Sequence, residues 1–229
     1  MSVGVATLAF FSFCCALPLG YNATTDRAGI GAIRVRQSFE FDSGFMDETP
    51  GTPPFVHSIA HEPDVRAAEV LIREVRERND VVVALHWGVP FCYLPTSQGP
   101  LAQYQQPLAR RLVDAGADLF IGNHPHCLHP VEFYKHGLNF YSTGNFVFDW
   151  RDGWSPESMV AKEDVHPAAP YRPVLMKGPW YESAVFRVEV AGSTDPSCAS
   201  NPSRSTRPIV PKPEVAKAIL AKFAEASKE

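Results

Sequence analysis

The spacing of hydrophobic and polar positions changes several times along the chain, and each change predicts an element. From Val3 to Leu19 the apolar run is nearly unbroken for about 17 residues. It is dense in β-formers (Val3, Val5, Thr7, Phe10, Phe11, Phe13), which suits a buried strand. Its length and the Ala-Leu-Pro-Leu-Gly that closes it also fit a secretory signal, but no Lys or Arg precedes it, so the strand is the expected reading. Ile33-Arg34-Val35-Arg36 alternates briefly among turn residues, and Thr49-Pro50-Gly51-Thr52-Pro53-Pro54 reads as a long loop. Residues 20–61 are therefore expected to connect.

Val65, Ala68, Ile72 and Val75 then recur at helical spacing behind Pro63, which predicts an amphipathic helix over 64–78. The β-branched run Val81-Val82-Val83-Ala84-Leu85 predicts a strand buried on both faces. Tyr104, Leu108 and Leu112 share one stripe of a helix over 103–115, with Gly116 placed for a left-handed stop. Leu119-Phe120-Ile121 follows as a strand over 118–122, so 81–122 forms a βαβ unit with its two strands parallel. Val131 to Tyr134 and Leu138 to Ser142 read as a hairpin through Lys135-His136-Gly137, and Trp180 to Val190 as a later strand. The chain divides into a main domain over 1–190, a Ser/Pro-rich linker over 191–213 and a C-terminal helix over 214–229 with Val215, Ile219 and Phe223 on one face.

Composition narrows the function classes. The 229 residues are 45% apolar, enough for a sizeable core. Lys+Arg number 21 against 25 Asp+Glu, and a net charge of −4 leaves no field that would draw nucleic acid, so no nucleic-acid partner is expected. Five cysteines without a CxxC pair indicate free thiols. A soluble product without a membrane span is expected, its compartment left open. No Gly-rich phosphate loop and no GxSxG elbow occurs, which disfavours nucleotide kinases and serine hydrolases.

The candidate chemistry lies with histidine. His86 directly follows one parallel strand, and His124 and His126 follow the next, so the three imidazoles should emerge together at the carboxyl edge of the sheet. Pro125 stiffens the backbone between the pair. Neutral imidazole is a good ligand for Zn, Mn or Fe, and a metal there would polarise a phosphoryl or acyl oxygen. Against this stands the plain reading of an HxH tripeptide as a surface turn. Asn145 and Asp149 follow the turn at Gly144 and could orient a ligand imidazole or simply cap that turn. Cys92 and Cys127 lie near the proposed ligands but read better as small buried side chains, and Trp87 as packing beneath the site. His57, His61 and His166 fall in polar, Pro-containing loops and His136 in a hairpin turn, where solvated surface is expected; His129 reads as packing.

Four blocks carry a family resemblance: Leu85-His86-Trp87-Gly88, Asp114-Ala115-Gly116-Ala117-Asp118, Gly122-Asn123-His124-Pro125-His126, and Phe140-Tyr141-Ser142-Thr143-Gly144-Asn145-Phe146-Val147-Phe148-Asp149. In order and spacing they resemble the CapA family, associated with capsule and poly-γ-glutamate synthesis and built on a calcineurin-like metallophosphoesterase fold. The resemblance implies an α/β sandwich with a βαβ core and metal ligands at His86, His124 and His126; Asn123, Asn145 and Asp149 are candidates to support those ligands. It also implies a dinuclear site whose first ligands come from Asp-x-His, Asn-Leu-Glu and Asn-Asn-His blocks, and none of these precedes the matched segment. Pro90 further removes a polar side chain beside His86. The expectation is therefore a carboxyl-terminal half without its first half, holding at most one weakly bound divalent transition metal and leaving an apolar sheet face uncovered. Two functions follow from it. One is metal-assisted hydrolysis or transfer alongside capsule or poly-γ-glutamate machinery, and the other a non-catalytic remnant or assembly module.

Overall fold

The computed structural model describes residues 7–41, 44, 48, 54–88, 101–146, 184–188 and 207–209. Its centre is a six-stranded sheet built from β1 (Leu8–Cys14), β2 (Gly31–Ala32), β5 (Asp80–His86), β6 (Leu119–Asn123), β7 (Val131–Tyr134) and β8 (Gly137–Phe140). The strand order is β2-β1-β5-β6-β8-β7. Every neighbour pair is parallel except β7 and β8, which form the expected hairpin. A separate antiparallel pair joins β3 (Val35–Glu40) to β4 (Phe55–Ala60). Another joins β9 (Val185–Arg187) to β10 (Arg207–Ile209).

Two helices cover one face of the central sheet. Helix α1 (Glu62–Arg76) buries Val65, Ala68 and Ile72, carries Pro in its first turn, and places Glu62 and Asp64 at its positive end and Arg73 and Arg76 at its negative end. Helix α2 (Gln105–Asp114) buries Leu108, Ala109, Leu112 and Val113. It stops at Gly116, whose φ of 122° is a left-handed conformation that favours glycine. Arg111 ties the helices together through Glu62 and Glu69. Their apolar stripes meet Val81, Val83 and Leu85 of β5 and Phe120 of β6 in one core that also includes Trp87.

Register decides what the opposite face shows. Leu8, Phe10, Ser12 and Cys14 stand beside Asp80, Val82, Ala84 and His86, and the row continues to Leu119, Ile121 and Asn123 on β6. Phe186 of β9 reaches this face and lies 4.7 Å from Phe140, ring to ring. At the β1 end the face is open, with Leu8 44% and Phe10 69% exposed. The apolar run is thus a strand, as expected, but only its inward residues Ala9, Phe11 and Phe13 pack on the core. Among the described residues, this end of the sheet therefore leaves apolar side chains exposed, as anticipated from the sequence.

Several expectations need correction. Residues 20–61 do more than connect, because β2, β3 and β4 lie within them. The second strand of the hairpin ends at Phe140, not at Ser142. Arg207–Ile209, inside the stretch read as linker, pairs with β9. The C-terminal helix over 214–229 lies outside the described residues, as does most of Trp180 to Val190. Among the described residues no helix is long and apolar enough to cross a membrane.

Candidate functional site

The carboxyl ends of β1, β5 and β6 open onto one edge of the sheet, and the three histidines meet there. The His86 and His124 ring centroids are 4.2 Å apart, and those of His124 and His126 6.0 Å. Register explains the first partner: His86 and Asn123 are side by side on adjacent parallel strands, so their side chains share a face. The His86 Nδ1 to Asn123 Oδ1 distance is 2.8 Å, and the His126 Nδ1 to Asn145 Oδ1 distance is 2.7 Å. An amide oxygen only accepts, so in each pair Nδ1–H is the donor and the lone pair is left on Nε2. Asn145 also donates from Nδ2 to the His126 carbonyl at 3.3 Å, which ties ring and backbone to one side chain.

The backbone at the pair is unusual. His124 has φ 101° and His126 φ 58°, both on the positive side where non-glycine residues are uncommon. The residue before a proline is normally driven to an extended conformation, so His124 is doubly strained. Such strain persists where the surroundings over-determine it, and it concentrates at functional sites. The surroundings are specific here. Trp87 donates its backbone N–H to Asn123 O at 3.0 Å and its indole N–H to Tyr141 O at 2.9 Å, and Thr143 N–H reaches Gly122 O at 3.3 Å. The exits of β5, β6 and β8 are thereby held as a unit.

Burial sets the electrostatics. Desolvation, with added repulsion from His86 and His126, pushes His124 down to about 4, so its ring is neutral at neutral pH. Desolvation also lowers His126, opposed by the Asn145 hydrogen bond. Neutral rings are the form that binds metal. The thiols beside them are less suited: desolvation raises Cys14 and takes Cys15 up to about 12. Among the described residues no group of three His, Cys, Asp or Glu side chains already closes into a metal-holding cluster. Closing one would draw these rings into new rotamers.

The other sequence candidates separate cleanly. Trp87 is fully buried under the site, as expected, and Cys127 and His129 are buried. Asp149, Cys92 and His166 lie outside the described residues. His136 is exposed in its turn. His57 is not in a loop but on β4, its Nε2 2.6 Å from Glu40. His61 is not a solvated surface residue; it is the N-cap of α1, its side chain 19% exposed and 3.1 Å from Asp64. Sequence reasoning missed Cys14 and Cys15 as neighbours of His86. Only strand register brings Cys14 beside His86 and lets Cys15 N–H donate to its carbonyl at 2.7 Å.

Comparison with known proteins bears on the family of the chain. Residues 6–150 match the family described as bacterial capsule synthesis protein PGA_cap. The chain is 34% identical over 134 residues to the capsule biosynthesis protein CapA of Bacillus anthracis, covering 55% of this chain and 29% of that protein. It is 43% identical over 86 residues to the PGA biosynthesis protein CapA of Bacillus subtilis, covering 37% of this chain and 20% of that protein. The chain thus spans less than a third of the length of these relatives.

Proposed function

Because the chain belongs to the bacterial capsule synthesis protein PGA_cap family, we propose that it serves capsule or poly-γ-glutamate synthesis, and that His86, His124 and His126 form its metal-holding edge. The observation that carries this reading is the pair of histidine–asparagine contacts, His86 with Asn123 and His126 with Asn145, flanking the neutral His124 ring. A ligating histidine usually gives its second ring N–H to an acceptor that fixes the tautomer, and these asparagines occupy that role. The donor set is nitrogen-only, which suits Fe or Zn over Mg or Ca, with Mn the least favoured of the three transition ions expected here. A bound divalent ion would supply Lewis acidity toward a phosphoryl or acyl oxygen, the chemistry of metal-assisted hydrolysis or transfer. The chain's own residues orient the His86 and His126 rings through Asn123 and Asn145, and burial keeps His124 neutral. Without a carboxylate among these ligands the charge of the ion is poorly compensated, so weak binding of a single ion is expected.

The test is metal titration of the chelator-stripped chain by calorimetry with Zn²⁺ and with Mn²⁺. One ion per chain is expected. Asn123→Ala and Asn145→Ala should each weaken binding by roughly 10- to 100-fold, the usual effect of removing such a partner. Failure of the unaltered chain to bind either ion would overturn the reading. A second reading, an assembly module acting through its uncovered face, is favoured by the exposure of Leu8 and Phe10. Metal-free protein whose folding is unchanged in the His86→Ala variant would support that alternative.

A further inference from the structure

We propose that Tyr104 is a positioning residue for the histidine cluster, its hydroxyl clamping the turn after β5 against His124; this rests on the metal-site reading above. Three hydrogen bonds donated by Trp87 and Gly88, the two residues after β5, help to fix its exit. Two come from Trp87, and the third runs from Gly88 N–H to the Tyr104 hydroxyl at 2.9 Å. Gly88 has φ 111°, a conformation that favours glycine, and it lies close to the neighbouring histidine turn. A β-carbon at this position would stand 3.2 Å from Pro125 Cγ and 3.7 Å from His124 Cδ2. The Gly88 backbone is therefore a wall of the pocket in which the strained His124-Pro125 step sits.

Tyr104 is well placed to hold that wall. It is 3% exposed at the start of α2, and its ring meets Trp87 edge-on with centroids 6.0 Å apart. Of the three hydrogen bonds donated by Trp87 and Gly88, the one to Tyr104 alone ends on a side-chain oxygen. A single substitution can remove it while keeping the ring.

Tyr104→Phe supplies the experiment, with Ile72→Val in the helical core as a control for general loss of stability. In the full chain, Tyr104→Phe is expected to weaken Zn²⁺ binding by about tenfold or more, as loss of an orienting contact does, while Ile72→Val binds as the unaltered chain does. Equal Zn²⁺ affinity in Tyr104→Phe and the unaltered chain would overturn the proposal. So would an equal loss in both variants. The ring proton and carbon shifts of His124 and His126 provide a readout independent of metal. If the unaltered chain binds no metal, the metal-site reading fails, and Tyr104 is then judged by those shifts alone. They are expected to move in Tyr104→Phe and to stay fixed in Ile72→Val; unmoved shifts in Tyr104→Phe would refute the positioning role.

Discussion

Gly122→Ala is expected to destabilise the chain by about 3–4 kcal/mol, although alanine is the smallest possible addition. An added β-carbon would stand 2.3 Å from Tyr141 O and 2.5 Å from Trp87 Nε1, far inside contact distance. Those two atoms are hydrogen-bonded to each other, so the methyl group would be driven between donor and acceptor. Neither can retreat: one is backbone and the other belongs to a fully buried ring stacked on Tyr141. Overpacking of a tight core typically costs about 1–3 kcal/mol, and stranding a buried indole N–H adds a comparable penalty of about 1–3 kcal/mol. A urea-unfolding midpoint measured for both proteins checks the figure. A change under about 1 kcal/mol would show that the Trp87 wedge does not hold the β5, β6 and β8 exits together. The requirement at Gly122 is one of space alone, whereas at Gly116 a positive φ adds to close contact with the Arg76 side chain.

The parts of the fold that the sequence made legible are those governed by local periodicity. Val65, Ala68 and Ile72 announced α1 by their spacing, and Val81 to Leu85 announced β5 by an unbroken β-branched run. Their order then brought His86, His124 and His126 to one edge, because parallel strands linked by a helix place their carboxyl ends together. β4 escaped notice for the opposite reason. Phe55-Val56-His57-Ser58-Ile59-Ala60 has no clean alternation, since both faces of its pair with β3 are half-covered, and Phe55 and Ile59 remain exposed. The supporting shell of the site was only partly legible. Asn145 was a candidate from its place after a turn, but its contacts with the ring and carbonyl of His126 come from tertiary packing. Cys14 and Tyr104 are set beside His86 and Gly88 by register and by tertiary packing, which no local pattern encodes.

His124→Asn should have two separable effects, because one side chain is both strongly desolvated and the middle member of the cluster. Asparagine tolerates positive φ better than most residues, so the backbone at φ 101° is kept while the imidazole is removed. At neutral pH the variant is expected to lose metal affinity by about a hundredfold or more, corresponding to roughly 2.7 kcal/mol. The second effect concerns metal-free protein. Burial, then the neighbouring His86 and His126, lower the folded-state value of His124 from 6.5 to about 4. Between those values the unfolded chain binds the extra proton and the folded chain does not. The contribution is fully present above pH 6.5 and disappears as the pH falls toward 4. The full difference would be roughly 3 kcal/mol, and the partial exposure of the ring reduces it to the order of 2 kcal/mol. Urea unfolding at pH 7 and pH 4.5 should therefore show a steeper acid loss in the unaltered chain than in His124→Asn by about that amount. Equal losses would mean that the ring is hydrated in the folded state. It would then have no desolvated environment to keep it neutral, and the cluster would have to be drawn as a surface turn.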